Sequence, residues 1–114
     1  MTDAEMKSIA KGLVDRYIRS HNDKTLPEYK VDVRQFLIPG LASAVGSIAS
    51  AGQDYNHPVS SYSITVTKVQ FMNPKQFLAE SPVIIHFKNG TVKHLTYHLR
   101  LISYNGQWYI ESIA

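Results

Sequence analysis

Asn105-Gly106 lies between two runs, "HLRLISY" and "QWYIESI", whose alternations complement each other. Asn-Gly is the strongest short hairpin signal because both turn residues tolerate positive φ. A two-residue turn there pairs Tyr104 with Gln107 next to the turn, and then Ser103 with Trp108, Leu101 with Ile110 and Leu99 with Ser112, these last three pairs on one face. The opposite face pairs Ile102 with Tyr109 and Arg100 with Glu111. Apolar meets apolar and a cation meets a carboxylate, so the register is internally consistent and the end of the chain must be antiparallel sheet. A second Asn-Gly, at Asn89-Gly90, joins "VIIHFK" (83–88) to "TVKHLTYHLRLISY" (91–104). There a two-residue turn sets His86 beside Lys93 and Ile85 beside His94, whereas a three-residue bulged turn flips that pairing.

Upstream the period of two continues in "SYSITVTKVQF", with Tyr62, Ile64 and Val66 set against Ser63, Thr65 and Thr67. "MNPKQFLAESP" breaks this alternation with two prolines and places Glu80 in a loop. The start of the chain has a different period. Thr2-Asp3-Ala4-Glu5 reads as a capping box, and Met6, Ile9, Ala10, Leu13, Val14, Tyr17 and Ile18 follow helical spacing. An amphipathic helix is predicted over 3–21, with Lys7, Lys11, Asp15, Arg16 and Arg19 on its polar side. After a loop at 21–27, a short helix beginning at Pro27 must end near Pro39-Gly40. Small residues then dominate 41–52, a short helix or packed loop, and 52–58 reads as a turn.

Helices first and antiparallel strands afterwards define an α+β domain, with N-terminal helices packed on a curved sheet of about four strands. The 114 residues suffice for one core and hence a single domain, 1–114. The inward strand positions are Leu95, Tyr97, Leu99, Leu101, Trp108 and Ile110.

Candidate chemistry is sparse. There is no cysteine, which removes disulfides and thiolate chemistry. His94 and His98 share a strand face but lie about 13 Å apart at strand rise, too far to share one ion. No Gly-x-Ser-x-Gly and no phosphate-binding loop occurs. The expectation is therefore no catalytic residue, no metal and no cofactor. The basic residues are scattered, so the net charge of +3 does not make a nucleic-acid footprint, and no direct nucleic-acid contact is expected. The most apolar stretch, Phe36 to Gly52, is interrupted by Pro39, Gly40 and Gly46 and is no membrane span. Met1 leads straight into an acidic helix start, unlike a signal peptide.

The order of elements resembles the nuclear transport factor 2-like (cystatin-like) superfamily. Within it, "YHLRLISYNGQWYIESIA" (97–114) resembles the last hairpin of extracytoplasmic domains in the conjugative transposon protein TcpC family and the VirB-type scaffold subunits of type IV secretion systems. "QFLIPGLA" (35–42) is similar to their helix end and following loop. The resemblance implies a non-catalytic scaffold domain that self-associates and docks with other secretion-channel subunits outside the cytoplasmic membrane. Membrane contact would come only through a segment absent from this chain, from a longer anchored protein. The helix face with Lys11, Arg16 and Arg19 is then the candidate interaction surface. The alternative is a small-ligand or isomerase-like domain with a pocket between helix and sheet, lined by Tyr62, Tyr97 and Trp108.

Overall fold

The computed structural model describes residues 1–21, 37–38 and 59–114. The expected elements of 22–58 lie outside these residues, except at Leu37 and Ile38. One helix, α1 (Asp3–His21), packs on an antiparallel sheet of β1 (Val59–Ile64), β2 (Lys68–Asn73), β3 (Gln76–Phe87), β4 (Val92–Tyr104) and β5 (Gln107–Ile113). The spatial order is β1-β3-β4-β5, with β2 also paired to β3. The expected sheet of about four strands has five, because the first strand is interrupted and its two parts share one side of β3.

The predicted cap of α1 is formed. The Glu5 amide donates to Thr2 Oγ1 at 3.1 Å and the Thr2 amide to Glu5 Oε1 at 3.4 Å. Asp3 and Glu5 also place negative charge at the positive end of the helix dipole. Met6, Ala10, Leu13, Val14, Tyr17 and Ile18 are buried against Phe77, Ala79, Val83, Ile85, Leu99, Leu101 and Ile110 of the sheet. Leu37 joins this core and bridges Ile110 in parallel fashion, so the end of the expected second helix is extended here.

Both glycine turns form, by different geometries. Asn105 and Gly106 take φ of 52° and 79°, giving the tight two-residue turn of the last hairpin. At the other hairpin Ile85 faces Lys93 and His86 faces Val92. The Phe87 amide donates to the Thr91 carbonyl at 2.9 Å and the Gly90 amide to the Phe87 carbonyl at 3.0 Å. This is the three-residue turn, with Gly90 at φ 89° as the residue that must adopt the left-handed conformation.

The prolines do not break the sheet. Pro74 sits in the turn between β2 and β3, where Asn73 Oδ1 accepts from the Lys75 amide at 2.9 Å. Pro82 lies in the middle of β3, and this requires compensation. The Thr65 amide donates to the Pro82 carbonyl at 3.0 Å, but a proline has no N–H to return to the Thr65 carbonyl. The fully buried Ser81 does so instead, its hydroxyl donating at 2.7 Å. Next to this point Thr67 donates to the Glu80 carbonyl, which Lys68 also faces. One strand residue is therefore in excess, and the core-facing set changes from Tyr62, Ile64 and Val66 to Val69.

Replacing Ser81 by Ala leaves the Thr65 carbonyl without its donor. The expected loss is about 1–3 kcal/mol of stability, read as a lower urea midpoint with unchanged slope. An unchanged midpoint would show that the hydroxyl is dispensable.

Candidate functional site

Two clusters of charged side chains stand out from the scaffold. The first joins α1 to β1. Asp15 and Arg19 are one helical turn apart and form an ion pair at 2.9 Å. The Tyr62 hydroxyl donates to Asp15 Oδ1 at 2.7 Å and accepts from Arg19 Nε at 3.3 Å. Burial and the bond to the Asp15 carboxylate push the Tyr62 phenol up to about 12, outweighing the opposing pull of Arg19. The arrangement clamps the helix to the edge of the sheet and holds the phenol protonated.

The second cluster lies on the sheet face turned away from α1. Register places Lys68, Glu80 and His98 in one row across β2, β3 and β4. Glu80 Oε1 is 3.5 Å from His98 Nδ1 and Oε2 is 3.9 Å from Lys68 Nζ. The two prolines of 72–82 predict a loop around Glu80; β3 instead runs from Gln76 to Phe87 through Pro82, and Glu80 is a mid-strand residue. The next row holds Gln70, Leu78, Arg100 and Ser112. A groove of about 790 Å³ runs over both rows and extends to Asp3 and Lys7 at the start of α1.

Arg100 is where the predicted register fails. Leu101 faces Ile110 as expected, but Arg100 faces Ser112 and Leu99 faces Ile113, so Glu111 is an extra residue in β5. The bulge brings Ile113 into the core opposite Leu99, a gain in apolar contact over Ser112. It also removes Glu111 from Arg100; the carboxylate instead accepts from Gln76 Nε2 at 2.8 Å. Among the described residues no carboxylate lies within ion-pair distance of Arg100 or Lys7.

The expected interaction surface is divided. Lys11 and Arg16 are exposed on opposite flanks of α1, Lys11 beside Tyr62 and Arg16 beside Trp108. Arg19, the third residue of that expected surface, is engaged by Asp15 and Tyr62. The three aromatic side chains of the alternative pocket line no common cavity among the described residues. Tyr97 is buried edge-on to Tyr17 with ring centroids 5.6 Å apart, Tyr62 is in the clamp, and Trp108 packs on Phe77 at 5.0 Å. Leu13 and Tyr17 fill core space beneath the helix. Among the described residues no three His, Asp or Glu side chains gather as a metal site.

No protein-family model matches the chain, and no curated protein matches it. Solved structures do. The intermembrane-space region of the chloroplast protein ARC6 aligns with TM-score 0.63 and 12% identity, over 100% of this chain and 96% of that one. An NTF2-like protein involved in plasmid conjugation aligns with TM-score 0.59 and 16% identity, over 99% of this chain and 39% of that one. An NTF2 variant aligns with TM-score 0.56 and 18% identity, over 97% and 95%. The fold is NTF2-like: one N-terminal helix on a curled five-stranded antiparallel sheet. The chain spans about two fifths of the conjugation protein it resembles. No described helix is long and apolar enough to cross a membrane.

The clamp has a pH signature. Because the folded-state pKa of Tyr62 is about 12 against an ordinary 10.0, the folded chain retains a proton that the unfolded chain releases between those values. Stability is therefore full below pH 10 and falls as pH rises towards 12. Tyr62→Phe should lose about 1 kcal/mol at neutral pH and lose that part of the alkaline decline. Denaturant midpoints of both proteins between pH 9 and about 12 check it; parallel declines would refute the clamp.

Proposed function

We propose that this chain is a non-catalytic assembly domain of a conjugative type IV secretion system, acting through protein–protein contacts outside the cytoplasmic membrane. The observation that carries the reading is the alignment of 99% of the chain with the NTF2-like protein involved in plasmid conjugation. The closing hairpin at Asn105-Gly106, which resembles that of secretion scaffold domains, supports it from the sequence. The chain aligns with a minor part of the conjugation protein, consistent with one domain among several in a channel subunit.

In this reading the partners are other channel subunits and further copies of the chain, and an anchor in a longer protein supplies membrane contact. The exposed flanks of α1, with Lys11 and Arg16, and the outer face of the sheet are the surfaces offered. Arg19 contributes by holding α1 to β1 through Asp15 and Tyr62.

The test is plasmid transfer from donor cells lacking the gene. Loss of transfer, restored by the wild-type gene and not by a Lys11→Glu, Arg16→Glu double variant, is the expected result. Undiminished transfer in the deletion strain would end the proposal. Disulfide cross-linking of copies through a cysteine placed at exposed Ser8 reports self-association, since the chain has no cysteine of its own.

A further inference from the structure

We infer that the end of the sheet formed by the β2–β3 and β4–β5 turns docks on an anionic lipid surface, with Phe71, Met72 and Tyr104 entering the headgroup layer. The contact is additional to any anchor in a longer protein and does not depend on the assembly reading above.

The two turns are neighbours. The Ser103 amide donates to the Lys75 carbonyl at 2.8 Å, which ties the tip of one hairpin to the base of the other. Five large apolar side chains are exposed among the described residues, and three of them are at this end: Phe71 at 53%, Met72 at 43% and Tyr104 at 54%. Met72 is the extra residue of β2 between the Phe71 and Asn73 pairs and has no partner on β3. The turn at the opposite end of β3 and β4 exposes Val92 alone.

The charges at this end match an anionic surface. Residues 69–76 and 101–109 contain Lys75 and no carboxylate. Arg16 of α1 lies beside Gly106 and Gln107. Both cations are exposed, and among the described residues neither is in an ion pair. Glu111, the carboxylate of β5, is held by Gln76 Nε2. Cations beside apolar tips attract anionic headgroups, and a Tyr suits the boundary because its ring is apolar and its hydroxyl stays wet.

Shape favours lipid over a folded partner. By register Phe71 lies opposite the buried Phe77 on the helix side of the sheet, whereas Tyr104 continues the outward positions Arg100 and Ile102. The apolar groups therefore emerge on both faces of one projecting end and form no single flat patch. A folded partner would have to clasp that end from two sides, but lipid headgroups close around it. Phe71 is level with Leu101, three residues before Tyr104. The apolar groups thus span about 10 Å along the strand, comparable to the depth reached by elements that lie in the membrane interface.

The experiment is co-sedimentation of the full chain with vesicles of phosphatidylcholine alone, or with an equal part of phosphatidylglycerol. Trp108, the one tryptophan of the chain, lies opposite Ser103 beside the β4–β5 turn. Quenching of its emission by brominated acyl chains therefore reports entry of this end. The expected result is binding to the anionic vesicles, quenched Trp108, and about tenfold weaker binding for each of Tyr104→Ser, Met72→Ser and Lys75→Glu. Val92→Ser and Lys88→Glu make the same kinds of change at the opposite end and should leave binding unchanged. Tyr104 and Met72 are on different strands, so misfolding of one variant leaves the other to decide. Lys75 is varied in place of Arg16 because Arg16 also belongs to the assembly surface. No binding to anionic vesicles, binding without quenching, or binding that high salt abolishes and both apolar variants leave intact would overturn the inference. So would indifference to vesicles with a Tyr104→Ser chain that sediments as a smaller species, which gives this end to a second copy. Vesicle binding by a protein whose deletion leaves plasmid transfer intact supports the lipid contact and ends the assembly reading. Transfer that needs the gene, without vesicle binding, does the reverse.

Discussion

Strand β3 must hydrogen-bond to neighbours on both sides while carrying a proline at its centre, and the rest of the sheet is arranged around that requirement. It pairs with β4 from Gln76 to His86 and with β1 and β2 along its other side. A missing N–H at such a position would leave a carbonyl unpaired, a cost comparable to a lost hydrogen bond. Ser81 meets it from the adjacent position, and the strand opposite is interrupted at that level. The interruption makes one long strand into β1 and β2, moves the inward set by one residue, and curls the sheet around α1.

The irregularities fall on the two outer sides of the sheet. On the β1 and β2 side the register shifts at Ser60, beside Thr67 and at Met72, and Pro74 closes the turn. Shifts of this kind twist an edge away from the flat geometry that invites pairing by another chain. In the assembly role proposed above, such an edge favours side-chain surfaces, the helix flanks and the outer sheet face, over strand addition at β2. Phe71 and Met72, 53% and 43% exposed, lie on this irregular edge. At the other side, the bulge at Glu111 serves packing and electrostatics together: Ile113 reaches the core, and Arg100 loses its internal partner.

Fold likeness at 12–18% identity establishes the NTF2-like architecture, and an architecture does not by itself fix an activity. The proposed role in secretion follows from one neighbour and one hairpin, whereas the lipid contact is argued from this chain's own side chains. The charged groups also differ in kind. Tyr62, Asp15 and Arg19 satisfy one another and hold the helix in place. Arg16 and Lys75 have no such closure among the described residues, and that difference separates a structural cluster from a candidate binding surface.

Sequence alone determined what depends on neighbours within a turn or a hairpin. The capping box, the buried stripe of α1, the turn at Asn105-Gly106 and the inward positions Tyr97, Leu99, Leu101 and Ile110 all follow from local spacing, because helical and strand periodicities are set by backbone geometry over a few residues. The choice between turns at Asn89-Gly90, the passage of β3 through Pro82 and the extra residue at Glu111 were decided by tertiary structure. Each compares pairings of residues far apart in the chain, and the winner is the one that buries Ile113 or satisfies the Thr65 carbonyl. Glu80 beside His98 and Lys68, and Arg100 without Glu111, are products of those decisions. The candidate site was thus invisible in local pattern: its residues come together only when the sheet closes, and a one-residue shift in register chooses which charges meet.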